Sequence, residues 1–334
     1  MNPSTGSINS PQAGSGLAGV GRIGRMGHIG QNRGNNIKKL LKISIVLIIL
    51  SLAELAAFAA PFHFTVTSDL HSNYAVYDAM LAQMKAKIGG QGVFQISPGD
   101  IESHAKLRER IDARFGKDAV WFAGIGNHDT GAKKIKWLRN EYINGNGARK
   151  PLKSLIKMAG PVGSRETTYS WDYGNAHFIM LNEYWNGGTK PGSDIADDGD
   201  IVDALYNWLK SDLAKNKKPV VFIFGHEPAF PKIRHRTDSL NKYPENRDRF
   251  WKLLESTPGV KAFICGHTHY YYRLQQPGGR VWQISDGNAG NVSGDGKAFL
   301  DVIVSDKQVK FNAWRDGGTG KYIIKDSWSV PVTK

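Results

Sequence analysis

From residue 62 onward the chain alternates between short apolar runs and longer stretches with apolar residues at helical spacing. Phe62–Thr67 (FHFTVT) has a period of two and is rich in β-branched residues, which predicts a strand ending at Ser68-Asp69. Ala75–Lys87 predicts a helix. Val93–Ile96 is a short apolar run closed by Ser97-Pro98-Gly99, Ala105–Phe115 again reads as helix, and Ala119–Ala123 as a buried strand closed by Gly124. Strand, helix, strand, helix, strand is the order of a layered α/β domain. From about Thr167 the pattern turns antiparallel: TTYSWDY and AHFIMLN flank Gly174-Asn175, a tight-turn pair that predicts a hairpin. Ile201–Leu213 predicts an amphipathic helix and Val220–Phe224 a strongly apolar strand. A helix around Phe250–Leu254 follows, then strands at Val260–Ile264, Tyr270–Leu274 and Val281–Ile284, with Phe299–Val304 and Val309–Trp314 closing the domain. No internal repeat or linker interrupts residues 61–334, so a single domain with two sheets and outer helices is expected there.

The first sixth of the chain has a different texture. Residues 1–36 are rich in Gly, Ser and Asn and lack any hydrophobic period, which predicts a disordered tail. Two matches to G-x-G-x-x-G, at Gly14–Gly19 and Gly19–Gly24, follow no strand and have no acid some 20 residues on, so they do not describe a dinucleotide site. Residues 37–60 join the basic cluster Lys38-Lys39-Leu40-Leu41-Lys42 to the apolar run Ile43–Ala60, which contains the small-x-small triplet Ala57-Phe58-Ala59. Basic, apolar and small-residue regions in that order predict a secretory signal. The rival is an uncleaved membrane anchor through residues 43–60, which Glu54 disfavours. In both readings the folded part is exported.

Composition narrows the chemistry. A single cysteine, Cys265, excludes an internal disulfide and a thiolate metal cluster, so any metal must be held by His, Asp, Glu or Asn. Its place at the end of a predicted strand favours burial over reactivity. The formal net charge is +14. Six bases and one acid of that balance lie in residues 1–60, which leaves +9 over residues 61–334 and points to an anionic partner.

The predicted strands end in a series of polar clusters. They are Asp69-Leu70-His71, Gly99-Asp100, Gly126-Asn127-His128-Asp129, Gly225-His226 and Gly266-His267-Thr268-His269. Ligands of open α/β sheets gather at the carboxyl ends of strands. Taken singly, each cluster reads equally as a turn or a hydrogen-bonded structural histidine. Five in order, all of metal-ligand type and free of thiolate, suit Zn, Fe or Mn.

This series (D-x-H, GD, GNHD, GH, GHTH) resembles the calcineurin-like metallophosphoesterase superfamily over about residues 62–275. The resemblance implies an α/β fold, a four-layer α/β/β/α sandwich of two mixed sheets with flanking helices. It also implies two divalent or trivalent metal ions (Fe, Mn or Zn). By motif position one metal takes Asp69, His71, Asp100 and His269; the second shares Asp100 and takes Asn127, His226 and His267. The implied reaction is hydrolysis of phosphate mono- or diesters, by attack of a hydroxide held between cations about 3.5–4 Å apart. His128 stands at the position of the general acid.

Two departures stand out. Many members read GD-x-x-D, where the second Asp orients the catalytic histidine; here the run is Gly99-Asp100-Ile101-Glu102-Ser103. Asp129 or a backbone carbonyl is then expected to orient His128. Purple acid phosphatases carry a tyrosine ligand at the position of Ser103, so a tyrosinate-coloured iron centre is not expected. Substrate-side candidates are Asn127, Arg234 and His235 in the basic segment after His226, and His104 after the Gly-Asp turn. The segment reads equally as a solvated basic loop. His177, inside a strand, is expected to be structural. The acidic run Asp194, Asp197, Asp198, Asp200 and Asp203 lacks the spacing of a calcium loop, and Asn291-Val292-Ser293 is a glycosylation sequon only in a compartment that glycosylates. A rival function is a non-catalytic metal- or phosphate-binding protein on the same scaffold. Specific nucleic-acid binding is not expected, because no helix-turn-helix or zinc-finger spacing is present, and a membrane partner enters only through an uncleaved anchor.

Overall fold

Thirteen strands build two mixed sheets in a computed structural model that describes residues 60–144, 152–190, 197–290 and 296–332. The tail, the signal or anchor segment up to residue 59, Asp194 and the sequon at Asn291 lie outside the described residues. The first half runs β1 (Phe62–Val66), α1 (Tyr74–Ile88), β2 (Gln95–Ser97), α2 (His104–Phe115), β3 (Trp121–Ala123), α3 (Ala132–Trp137) and β4 (Met158–Ala159). The hairpin follows as β5 (Tyr169–Tyr173) and β6 (Ala176–Met180), then α4 (Asp203–Lys215), β7 (Val220–Phe224), α5 (Pro244–Ser256) and β8 (Val260–Cys265). Strands β9 (Tyr271–Leu274), β10 (Trp282–Asp286), β11 (Ala298–Val304), β12 (Gln308–Asp316) and β13 (Tyr322–Pro331) complete the order.

One sheet has the order β13-β12-β11-β1-β2-β3 and the other β4-β5-β6-β7-β8-β10-β9. In the first, β1, β2 and β3 are parallel while β11, β12 and β13 add antiparallel. In the second, β6, β7, β8 and β10 are parallel. The long β13 is absent from the sequence expectation. Its outward residues are exposed, and its register with β12 shifts at Ala313/Trp314, so an apolar alternation never builds up.

The period of two in the strands divides their side chains between two cores. Phe178, Phe222 and Phe224 meet Phe64 of the first sheet, with ring centroids 5.2, 5.1 and 6.3 Å away in edge-on geometry. The intervening Ile179, Val221 and Ile223 pack instead with Leu205 and Leu209 of α4 and Phe250 and Leu254 of α5. A sheet covered on both faces needs continuous apolar strands, which is why β7 reads VVFIF. Helices α1 and α2 bring Tyr77, Met80, Met84, Leu107 and Ile111 to the other large core. Asn73 and Ser103 cap these helices, their side chains accepting from the amides of Val76 and Lys106.

His177 joins strand to helix. Its ring is buried, with Nδ1 2.6 Å from Asp172 Oδ1 and Nε2 2.8 Å from Asp212 Oδ2, while Ser170 donates to Asp212 Oδ1 at 2.9 Å. Both ring nitrogens are engaged by carboxylates, so the role of this histidine is structural. Cys265 is buried and donates weakly to the Ile284 carbonyl; burial pushes its thiol well above the ordinary range. His177→Leu should therefore lower unfolding free energy by about 3–5 kcal/mol, because Asp212 loses its buried partner. Urea denaturation measures this, and a loss below about 1 kcal/mol would mean that Asp212 is satisfied by Ser170 alone.

Candidate metal centre

Five strand ends supply the loops of the site. Asp69 and His71 follow β1, Asp100 follows β2, Asn127, His128 and Asp129 follow β3, His226 follows β7, and His267 and His269 follow β8. The chain strains to deliver them. Asp69, His71, Asp100, His267 and His269 all have φ between +48° and +68°, as do Ser72, Glu102 and His235 nearby. Non-glycine residues seldom adopt this region, although Asp and His tolerate it better than most. Strain on the order of 1–3 kcal/mol per residue must be held by the surroundings.

Backbone hydrogen bonds provide part of that hold. Leu70 and His71 donate their amides to the Asp100 carbonyl at 2.9 and 3.2 Å. The His128 amide donates to Asp100 Oδ1 at 2.9 Å and the His267 amide to Asp69 Oδ1 at 3.0 Å. Two glycines allow the approach: a Cβ on Gly126 would lie 2.2 Å from Asp100 Oδ1, and one on Gly266 would lie 2.6 Å from Asp69 Oδ2.

Asp69, His71, Asp100 and His269 each present a ligand atom, all within 4.8 Å of one another. Asp100 Oδ2 sits 3.3 Å from His71 Nε2 and 3.4 Å from His226 Nε2, so it faces both groups of histidines. His71 Nε2 and His269 Nε2 lie only 3.0 Å apart. The buried atoms His267 Nε2 and Asn127 Oδ1 have no hydrogen-bond partner among the described residues, and His226 Nε2 has only the 3.4 Å contact with Asp100. Buried polar atoms without partners are costly, and these are nitrogen and oxygen donors suited to Zn, Fe or Mn. The residues present fit a metal group.

The electrostatics agree. Burial lowers His267 well below the ordinary imidazole range, with His226 and His235 adding to the effect. Burial, then His71 and Arg234, takes His269 down to about 3. Burial also lowers His71. These rings are neutral, the form that binds metal. Burial opposes charge on His226 as well, yet the negative charge of Asp100 and Asp69 outweighs it and raises that histidine to about 10. Burial likewise opposes ionisation of Asp100, but His226 and His71 hold it below the usual carboxylate range. Asp69 is raised by burial and by Asp100 and Asp286, and burial lifts Asp286 to about 7. The pocket favours positive charge.

His128 is the open member of the group, 48% exposed, with its ring edge-on to His71 at 4.5 Å. Asp129 does not orient it. The Asp129 carboxylate instead accepts the amides of Gly126, Ile101 and Glu102 at 2.6–3.2 Å, clamping two loops together. The carboxylate beside His128 belongs to Glu102, whose Oε1 lies 3.5 Å from His128 Nδ1 and 3.3 Å from His71 Nδ1. Sequence reasoning missed Glu102 because it looked one residue further, to Ser103, which caps α2. It also missed Asp286, whose Oδ1 accepts from the Ser68 hydroxyl that also lies 2.6 Å from Asp69 Oδ2.

The basic segment after β7 reaches the same place. Arg234 Nη1 is 2.7 Å from His269 Nδ1, and the ring of His235 lies 4.0 Å from that of His267 with Nδ1 2.8 Å from Asp238. His104, the remaining substrate-side candidate, is buried, its ring 6.1 Å from that of Trp121. A histidine at a helix start that follows a ligand turn can face inward as easily as outward. The acidic run turns to other work. Asp198 pairs with Lys242, Asp203 with Arg249, and Asp200 accepts from Asn246.

Comparison with known proteins agrees with this geometry. The acid phosphatase of Aspergillus ficuum is 27% identical over 154 residues, which is 36% of this chain and 24% of that protein. A probable inactive purple acid phosphatase of Arabidopsis thaliana is 25% identical over 172 residues, 45% of this chain and 24% of that protein. The chain thus spans about a quarter of the length of these curated relatives. Among solved structures, a dimetal phosphatase from Danio rerio superposes with a TM-score of 0.57 at 14% identity, covering 81% of this chain and 99% of that one. GAP50, the anchor in the inner membrane complex of Plasmodium, gives 0.54 at 15% identity, covering 82% and 90%. At such identities the likeness speaks for the fold, the two mixed sheets with flanking helices. The family model for calcineurin-like phosphoesterases matches residues 62–271, the stretch that carries all five strand-end clusters, and the chain belongs to that family.

Proposed function

We propose that this chain is an exported phosphoesterase that hydrolyses phosphate mono- or diesters at a two-metal centre. The observation that supports it most is the position of Asp100, between His71 on one side and His226 on the other, with unpartnered donors beyond. Asp69, His71, Asp100 and His269 would hold one cation and Asp100, Asn127, His226 and His267 the other. Such a pair supplies polarisation of the phosphoryl oxygens and an activated water.

The remaining roles belong to the protein. Arg234 and His235 reach the ligand histidines from the solvent side, where a guanidinium and an imidazole can bind phosphoryl oxygen and fix the ester. Asn127 offers its amide to the same group. His128 is exposed enough to meet a leaving oxygen and would give it the proton from Nε2, with Glu102 Oε1 3.5 Å from its Nδ1. Buried Asp129 keeps the loop of His128 in register with that of Asp100. Export rests on the basic, apolar and small-residue order of residues 37–60, with residues 61–334 as the folded unit; among the described residues no helix is long and apolar enough to cross a membrane.

Asp100→Asn should reduce hydrolysis of aryl phosphates by more than about 100-fold, the upper range for losing only an outer-shell partner. It should also lower metal content in elemental analysis; full activity with unchanged metal would defeat the proposal. Dialysis of wild-type protein against a chelator should remove activity, and separate addition of Fe, Mn and Zn should restore it with at least one of them. Metal binding without turnover on either a mono- or a bis-aryl phosphate would favour the non-catalytic binding protein instead.

A further inference from the structure

Glu102 occupies a position that no helix or strand demands. Its φ of +62° is unusual for a long side chain, and its amide is held at 2.6 Å by Asp129 Oδ1. Its carboxylate is fixed from three sides. Oε2 accepts from the Ser72 hydroxyl at 2.5 Å, while Oε1 lies 3.3 Å from His71 Nδ1 and 3.5 Å from His128 Nδ1. One oxygen therefore faces the same nitrogen on two different imidazoles. The rings stand edge-on, 83° apart.

An acceptor-only group beside Nδ1 decides which nitrogen of a neutral histidine carries its proton. For His71 that choice leaves Nε2 as the lone-pair nitrogen, and Nε2 is the atom 3.3 Å from Asp100 Oδ2. For His128 it fixes the orientation of the ring. Ser103 cannot take this part, because its hydroxyl accepts the Lys106 amide at the start of α2. Asp129 cannot either, because its carboxylate is occupied by three backbone amides.

We propose that Glu102 is a positioning residue that a metal ligand, His71, and the acid, His128, share, so that a single carboxylate sets both rings. The proposal rests on the reading of His128 as proton donor. It makes a distinctive demand. A donor matters most when the leaving oxygen is a poor one, so loss of its orientation should be felt on phenyl or alkyl phosphates and hardly at all on dinitrophenyl phosphate.

The test uses the full chain as wild type, Glu102→Gln, Glu102→Asp and His128→Ala, with kcat and KM measured over phosphate esters of graded leaving-group acidity. Metal affinity and far-ultraviolet circular dichroism are recorded for each protein. Glu102→Gln is expected to lower kcat about 10–100-fold on phenyl phosphate, the range for outer-shell partners. At saturating metal its loss on dinitrophenyl phosphate should be no more than a few-fold with KM unchanged, while metal affinity falls through the loss of the partner of His71. Glu102→Asp, which keeps the charge, should recover part of the loss, and His128→Ala should show the same selectivity more strongly. An equal loss on every ester at saturating metal, or unchanged metal affinity in Glu102→Gln, would overturn the proposal of a shared carboxylate. If His128→Ala is selective and Glu102→Gln is not, only the role of Glu102 falls. If His128→Ala shows no selectivity, the acid assignment fails and takes the proposal with it.

Discussion

Like charge gathered in a dry place is the constraint on which this molecule is arranged. Asp69, Asp100, Asp286, Glu183 and Glu227 are all buried, and the charge of His226 acts on every one of them. Carboxylates taken from water must be protonated, paired or met by cations. Burial and the neighbouring Glu227 lift Glu183 to about 8, and burial lifts Glu227 to about 7. His226 alone cannot neutralise the group, and the other imidazoles are held neutral by their own burial. The positive charge that the centre lacks is what the proposed metals would bring.

The rest of the chain holds that arrangement together. Among the described residues, the non-glycine positive φ values lie in and beside the loops of the candidate site, which is the pattern expected where geometry serves chemistry. Each strained turn is tied to another loop: Asp100 to the amide of His128, Asp69 to that of His267, Asp129 to those of Ile101, Glu102 and Gly126. The aromatic core around Phe64 and Phe178 keeps the two sheets face to face, so strand ends from both reach one point.

Much of this was legible in the sequence. Apolar runs such as VVFIF and VKAFIC announced buried strands, and the clusters after them announced the side chains that converge at the strand ends. His177 was rightly set aside as structural. What escaped notice was settled by direction rather than composition. Glu102 and Ser103 are neighbours, and only the backbone angles decide which of them faces His128. His104, a substrate-side candidate, is buried beside Trp121, while Asp286 ends a strand without a histidine to mark it. The strand at Tyr322–Pro331 escaped because an edge strand exposes most of its side chains.

The strand order has a consequence for how the molecule comes into being. The last of the proposed ligands is His269, yet β1, which delivers the first, pairs on one side with β11 from Ala298–Val304. A growing chain therefore has every proposed ligand in hand while the strand beside Asp69 and His71 still lacks its antiparallel neighbour. Pairing across more than 230 residues is slow and comes late. Assembly of the centre is thus tied to completion of the chain, and metal uptake would mark a finished molecule rather than a growing one.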